Sequence, residues 1–283
     1  MGLFDKLFGN KPSRDTGKVA TERLIETIIQ KTSTPFVKVK LTPGETGPLE
    51  SKIGGMPYMP EGFEYPLDLT EGGNGRPLAF LAQLNFGEIP PLEGFPREGI
   101  LQFYISDSEN YGLNFEEPNQ QKGFRVIFHK QVGNPATNNE VSPSALLPVK
   151  GEFRLSFEPG MMPITCSDFR FDKYLLEAYN EAFPSAQVPS VDRIPEERLD
   201  NIYDRLEAPG HRIGGYPDFV QIDPREYHRP CQEHTTLLFQ ITSMEEENCS
   251  IRWGDDGTCT FLIRPEDLAK EDFSNVIYNW DCY

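Results

Sequence analysis

One six-residue block occurs twice in this chain: Lys52-Ile53-Gly54-Gly55-Met56-Pro57 returns as Arg212-Ile213-Gly214-Gly215-Tyr216-Pro217, a shift of 160 (212 − 52). Two further matches follow in the same order. Leu81-Ala82-Gln83-Leu84 aligns with Leu238-Phe239-Gln240-Ile241 at a shift of 157, and 99–105 aligns with 257–263 at a shift of 158, placing Phe103 over Phe261. Three blocks in one order at nearly one offset read as an internal duplication. A basic residue followed by Ile-Gly-Gly-x-Pro sets two residues without Cβ beside one of fixed φ, so each copy is expected to form a tight corner. Gly54, Gly55 and Pro57 make the first corner and Gly214, Gly215 and Pro217 the second. Each corner leads into an apolar run with one amide, Gln83 or Gln240. A buried amide needs hydrogen-bond partners, so each glutamine either ties neighbouring backbone or reaches a cleft. The expectation is two related β-rich halves around one core, with a groove between them as the natural site.

Local patterning fills in the halves. Short apolar runs broken by 24 Gly and 25 Pro predict strands near 78–86, 99–106, 122–130, 151–157, 235–242, 249–253 and 257–263. In 122–130, Phe124, Val126 and Phe128 alternate with Arg125, Ile127 and His129, which gives that strand an apolar face. Leu24, Ile25, Ile28 and Ile29 repeat at helical period over 19–31, before Pro35. Two more helical stripes fall between the halves: Phe171, Tyr174, Leu175 and Ala178, with Ser167 as N-cap, then Leu199, Ile202, Tyr203 and Leu206. The predicted fold class is therefore α+β and strand-rich. It is one compact domain over 19–283, with repeat one at about 50–158, a helical interlude at about 167–208 and repeat two at about 211–283. Residues 1–18, with Leu3, Phe4, Leu7 and Phe8 at helical spacing before a Gly-Asn-Lys-Pro breaker, read as a flexible N-terminal segment.

Charge and cysteine usage restrict the function classes. With 27 Lys plus Arg against 44 Asp plus Glu in 283 residues, the net charge of −17 repels a polyphosphate, so direct nucleic-acid binding is disfavoured. An acidic face suits solubility or a basic protein partner. Five scattered cysteines argue for free thiols, and no run reaches the ~18 apolar residues of a membrane helix, so the expected location is cytoplasmic with no integral membrane segment. His228, Cys231 and His234 stand three apart as zinc ligands do, yet no Cys-x-x-Cys pair or fourth ligand accompanies them. A polar loop entering the strand near Thr235 is the expectation, with no metal and no cofactor.

The segments KIGGMPYMP, PLAFLAQLNF, GILQFYIS, HRIGGYPDFVQIDPR, LLFQITS, WGDDGTCTFLI and NVIYNWDCY resemble the YwqG-like family of bacterial cytoplasmic proteins, a domain of unknown function, from about residue 20 onward. The resemblance implies a compact, duplicated, strand-rich α+β domain. It supplies no catalytic residues to carry over. Relatives placed among contact-toxin and immunity systems make a protein-binding role an expectation by analogy.

Phosphate-loop, dinucleotide, nucleophile-elbow and zinc-protease motifs do not occur in the sequence, and Gly72-Gly73-Asn74-Gly75 reads as a loop. The richest polar cluster surrounds the second corner: His211, Arg212, Asp218, Gln221, Asp223 and Arg225, with Trp253, Asp255 and Asp256 as further members. Arg212 or Arg225 would clamp a carboxylate or phosphate and His211 would exchange a proton near neutral pH. The competing reading makes Asp255-Asp256-Gly257 a hairpin turn, Asp223-Pro224 a turn start, and the basic residue of each corner an anchor for a carbonyl or carboxylate. The candidate binding residues are thus His211, Arg212, Asp218, Gln221, Arg225, Gln83, Gln240 and Trp253, with no catalytic residue assigned. The function expected is a non-catalytic binding or protein-interaction module. The alternatives are a small-molecule enzyme with its site in the groove between the repeats, or an immunity-like inhibitor of a basic toxin.

Overall fold

The structure, a computed structural model, describes residues 14–136 and 147–283. In chain order these form α1 (Arg14–Thr32), β1 (Thr34–Pro43), β2 (Lys52–Gly54), β3 (Ala79–Asn85), β4 (Ile100–Ile105), β5 (Phe124–His129), β6 (Val149–Lys150) and β7 (Glu152–Met162). Then come α2 (Phe171–Ala182), α3 (Glu196–Leu206), β8 (Arg212–Gly214), β9 (Thr236–Thr242), β10 (Met244–Glu245), β11 (Ser250–Ile251), β12 (Gly257–Ile263), α4 (Pro265–Ala269) and β13 (Val276–Cys282). Of the segment predicted to be flexible, residues 1–13 lie outside the described residues, and Arg14 onward belongs to α1.

Ten strands form one antiparallel sheet in the order β13-β12-β9-β8-β1-β7-β2-β3-β4-β5. Its spine is β1 against β7, paired from Thr34 opposite Met162 to Pro43 opposite Phe153. On β1, Val37 and Val39 are buried while Lys38 and Lys40 are exposed, the period-two alternation of a strand with one face on the core. Outward from β7 run β2, β3, β4 and β5; outward from β1 run β8, β9, β12 and β13. The sheet curls until its ends face each other: the Phe124 ring of β5 lies 5.0 Å from that of Tyr278 on β13, and Phe103 of β4 lies 4.6 Å from Phe261 of β12. The core fills this curl with Val37, Ile53, Leu81, Phe103, Phe124, Phe153, Ile213, Phe239, Phe261 and Tyr278, all buried. Both wings bury side chains in one core, which makes the whole a single domain.

Across the seam between β13 and β5 the chain is stitched by the loop 106–123. Tyr278 N–H donates to the Pro118 carbonyl at 3.0 Å, the Tyr278 hydroxyl to the Tyr111 carbonyl at 3.1 Å, and Trp280 Nε1 to the Asn110 carbonyl at 2.8 Å. The helices lie in a separate apolar layer, where Leu24, Ile25 and Ile28 of α1 meet Phe171, Leu175 and Ala178 of α2 and Ile202 and Leu206 of α3. A three-stranded sheet, β10-β11-β6, accounts for the run predicted at 249–253, which is a strand only over Ser250–Ile251.

Three local expectations are corrected. Arg170, not Ser167, is the N-cap position of α2; the Ser167 hydroxyl instead accepts the Phe219 N–H at 2.8 Å. Asp255-Asp256 does not close a hairpin, because β11 pairs with β10 and β6 and not with β12. The Ser243 hydroxyl holds that bend by accepting the N–H groups of Trp253 and Gly257. Finally, the chain has two strands that patterning does not predict, β1 as part of the spine and β13 as an edge.

Candidate functional site

The two corners share their glycine conformations, their ladder pairing and the main bonds of their amides. Gly54 and Gly55 have φ of +72° and +70°, Gly214 and Gly215 of +70° and +68°, a left-handed conformation that side chains with a Cβ rarely adopt. Lys52 sits opposite Gln83 in the ladder and Arg212 opposite Gln240. The buried Lys52 ammonium donates to the carbonyls of Gly47 (2.6 Å) and Met56 (3.0 Å); Arg212 Nη1 donates to the Tyr216 carbonyl (3.2 Å) and contacts Met162 Sδ (3.8 Å). Gln83 Oε1 accepts the Tyr58 N–H at 2.8 Å and its Nε2 donates to the carbonyls of Pro48 and Glu50 at 3.0 Å. Gln240 repeats this, accepting the Asp218 N–H and donating to the Gly210 carbonyl, both at 2.8 Å. Both basic residues and both amides therefore close their own loops. Burial lowers the Lys52 pKa and brings that of Arg212 down to about 10, which leaves Arg212 a cation at neutral pH.

Beyond the second corner lies a cavity of about 200 Å³ lined by Cys166, Ser167, Glu207, Asp218, Thr242, Asp256, Thr258 and Tyr283 among others. Burial pushes the Asp218 carboxyl up against the opposing pull of Arg212, and the Ser167 hydroxyl donates to it at 3.3 Å. His211 turns its Nδ1 inward to accept the Thr242 N–H at 3.2 Å. Burial, and then the Arg212 charge, bring its pKa to about 4, so it is neutral at pH 7 and does not exchange protons there.

Arg225 lies elsewhere. It is fully buried, with its guanidinium paired to Asp223 (2.6 Å) and Asp168 (3.0 Å), donating to the His234 carbonyl (3.1 Å) and stacked 4.6 Å from the Phe169 ring. Arg170 holds the other side of Asp168 in a two-pronged pair at 2.7 and 2.8 Å. This cluster ties the segment before α2 to the loop before β9, and its partners Asp168 and Arg170 stand 57 and 55 residues from Arg225 (225 − 168, 225 − 170) with no local pattern to link them. Asp223 does start a turn: its carboxylate accepts the Arg225 N–H and caps a 3-10 segment, Pro224–Glu226. Trp253 is fully buried among core aromatics, edge-on to Tyr111 at 5.6 Å, so it does not join the polar cluster. His228, Cys231 and His234 span a 3-10 segment, Arg229–Cys231, and His234 Nε2 pairs with Asn275 Oδ1 at 3.2 Å. Among the described residues no three metal-ligating side chains converge. The five thiols are unpaired, and no described helix is long and apolar enough to cross a membrane.

An apolar concavity lies at the seam, a groove of about 470 Å³ between the first wing's loop (Leu113, Phe115, Pro118), the second corner's continuation (Gln221, Ile222, Tyr227) and the β13 end (Trp280 to Cys282). Of the residues predicted to bind, only Gln221 lines it, donating its Nε2 to the Cys282 carbonyl at 2.6 Å. Asp281 beneath the groove accepts the N–H groups of Gln221 (3.0 Å) and Val220 (3.3 Å); burial raises its pKa to about 6 in spite of them. Patterning missed Phe115 and Ile222 as surface residues, although each is an isolated apolar residue inside a polar, proline-flanked stretch.

No curated protein matches this chain. A family model described as Domain of unknown function (DUF1963) matches residues 51–282, a span that runs from the first corner to the end of β13. The chain belongs to the DUF1963 family of domains of unknown function.

Proposed function

We propose that this chain is a binding module of the YwqG-like kind, formed from a half-sized unit that was doubled, and that it works by holding another protein and not by catalysis. The observation that carries the reading is the division of labour between the two regions described above. The polar side chains at the corners are engaged with their own backbone, whereas the broad groove at the seam presents Phe115, Ile222 and Tyr227 to solvent at 74%, 52% and 68% exposure. Apolar groups gathered in a concavity with a polar rim are the usual form of an interaction site. Support for doubling comes from the matched corner bonds and from the mirrored strand order, β7-β2-β3-β4-β5 against β1-β8-β9-β12-β13. Unpaired thiols suit a reducing compartment such as the cytoplasm.

The reading is tested by thermal-shift screening of the folded chain against metabolites and against peptides. Binding without turnover is expected. Turnover of any metabolite that is lost in His211→Ala or Arg212→Ala, with the variants shown folded by circular dichroism, would overturn it and favour an enzyme working at the second corner. The net charge of −17 supports a narrower version, an immunity-like inhibitor facing a basic toxin; its binding would weaken steeply with salt.

A further inference from the structure

We propose that the seam groove receives an extended, basic segment of a partner protein, which pairs as a short added strand with Trp280, the residue of the β13 edge whose backbone is left unmet. This rests on the binding-module reading and specifies the partner. Alternate residues of an edge strand turn their backbone groups outward. On β13, Tyr278 N–H faces out to Pro118 and the Cys282 carbonyl faces out to Gln221, so the N–H and C=O of Trp280 point the same way. Among the described residues neither Trp280 group has a partner on that edge. One such residue, between two that the chain's own loops already cap, offers an extended segment a single two-bond bridge. The edge at the other end of the sheet is guarded: Gln121 Oε1 accepts the Val126 N–H of β5, and Phe273 packs on Phe128.

The groove supplies the side-chain half of strand recognition. Phe115, Ile222 and Tyr227 rise around Trp280, where every second side chain of an added strand would enter. A helix would satisfy its own backbone and leave the Trp280 groups unmet. Charge selects the partner: Glu116 and Glu117 follow Phe115, and Glu226 precedes Tyr227, all exposed, with the exposed Arg229 two positions after Tyr227. A segment of alternating apolar residues with flanking Lys or Arg fits that rim.

The test is selection of displayed random twelve-residue peptides on the immobilised full chain, with the surface variant Phe115→Asp, confirmed folded by its melting curve, as the counter-target. The expected winners alternate apolar residues and carry excess Lys or Arg. Methylating the one backbone nitrogen that faces Trp280 should weaken such a peptide about tenfold or more. No enrichment over the Phe115→Asp chain overturns the proposal. Winners lost with Phe115→Asp but indifferent to methylation overturn the added strand while leaving a binding groove. Self-association in ultracentrifugation that Tyr227→Asp abolishes makes a second copy the occupant and also overturns it. Enrichment equal on both chains, together with metabolite turnover, removes the binding-module reading itself.

Discussion

The neutral state of His211 has a consequence for acid stability that can be worked out in advance. Its pKa is about 4 in the fold and about 6.5 in an unfolded chain, a depressed value. The stabilisation is therefore complete above pH 6.5 and is lost as pH falls toward 4, because the unfolded chain takes up the proton first. Between pH 7 and pH 4.5 the linkage relation gives a loss of about 2 kcal/mol from this one ring. Asp281 acts in the opposite sense: its pKa is raised to about 6, so it opposes folding at neutral pH and ceases to do so as it is protonated. The two nearly offset in the wild-type chain, and a substitution uncovers each. His211→Asn keeps an acceptor near the Thr242 N–H but cannot titrate. Urea unfolding of both chains at pH 7 and pH 4.5 should show the variant gaining about 2 kcal/mol relative to wild type on acidification. Parallel behaviour of the two chains would mean that His211 is protonated in the folded state as freely as in water, and the closed second corner described here would be wrong.

Other substitutions read the same architecture. Gln83→Leu strands the Tyr58 N–H and the Pro48 and Glu50 carbonyls, and urea midpoints should report a loss of about 3 kcal/mol or more. Gly54→Ala should destabilise more than Gly214→Ala in the same assay. Both carry the about 1–2 kcal/mol strain of a left-handed φ, but a Cβ at 54 meets the Gly151 carbonyl while one at 214 meets the movable end of Leu92. Arg225→Met leaves Asp168 and Asp223 buried beside an apolar chain and should cost about 3–5 kcal/mol, part of it recovered by adding Asp223→Asn. Equal stability of Arg225→Met and wild type would show that this cluster does not join the interlude to the second wing.

Much of the scaffold was legible because its parts are local. The Gly-Gly-x-Pro corners and the apolar runs of β3, β4, β9 and β12 depend on residues within a short span, so pattern and chemistry agree. β1 was hidden by Pro35 at its second position and by its place after a helix, though Val37, Val39 and Leu41 alternating with Lys38 and Lys40 carry the strand period. β13 owes its place to long-range pairing with β12. The seam depends on how far the sheet curls, which sets Phe115 beside Tyr227 across 112 residues (227 − 115), and no local signal encodes that. Trp253 looked polar in company with Asp255 and Asp256, but the Ser243 hydroxyl bends the chain there and turns the indole into the core.

The measurement closest to the central claim is a residue-by-residue NMR map of the full chain titrated with a peptide selected as above. Shifts centred on Phe115, Ile222, Tyr227 and the Trp280 amide, with the Trp280 amide also slowed in hydrogen exchange, are the predicted result. Shifts centred on His211, Arg212 and Asp218, with the seam unmoved, would contradict it.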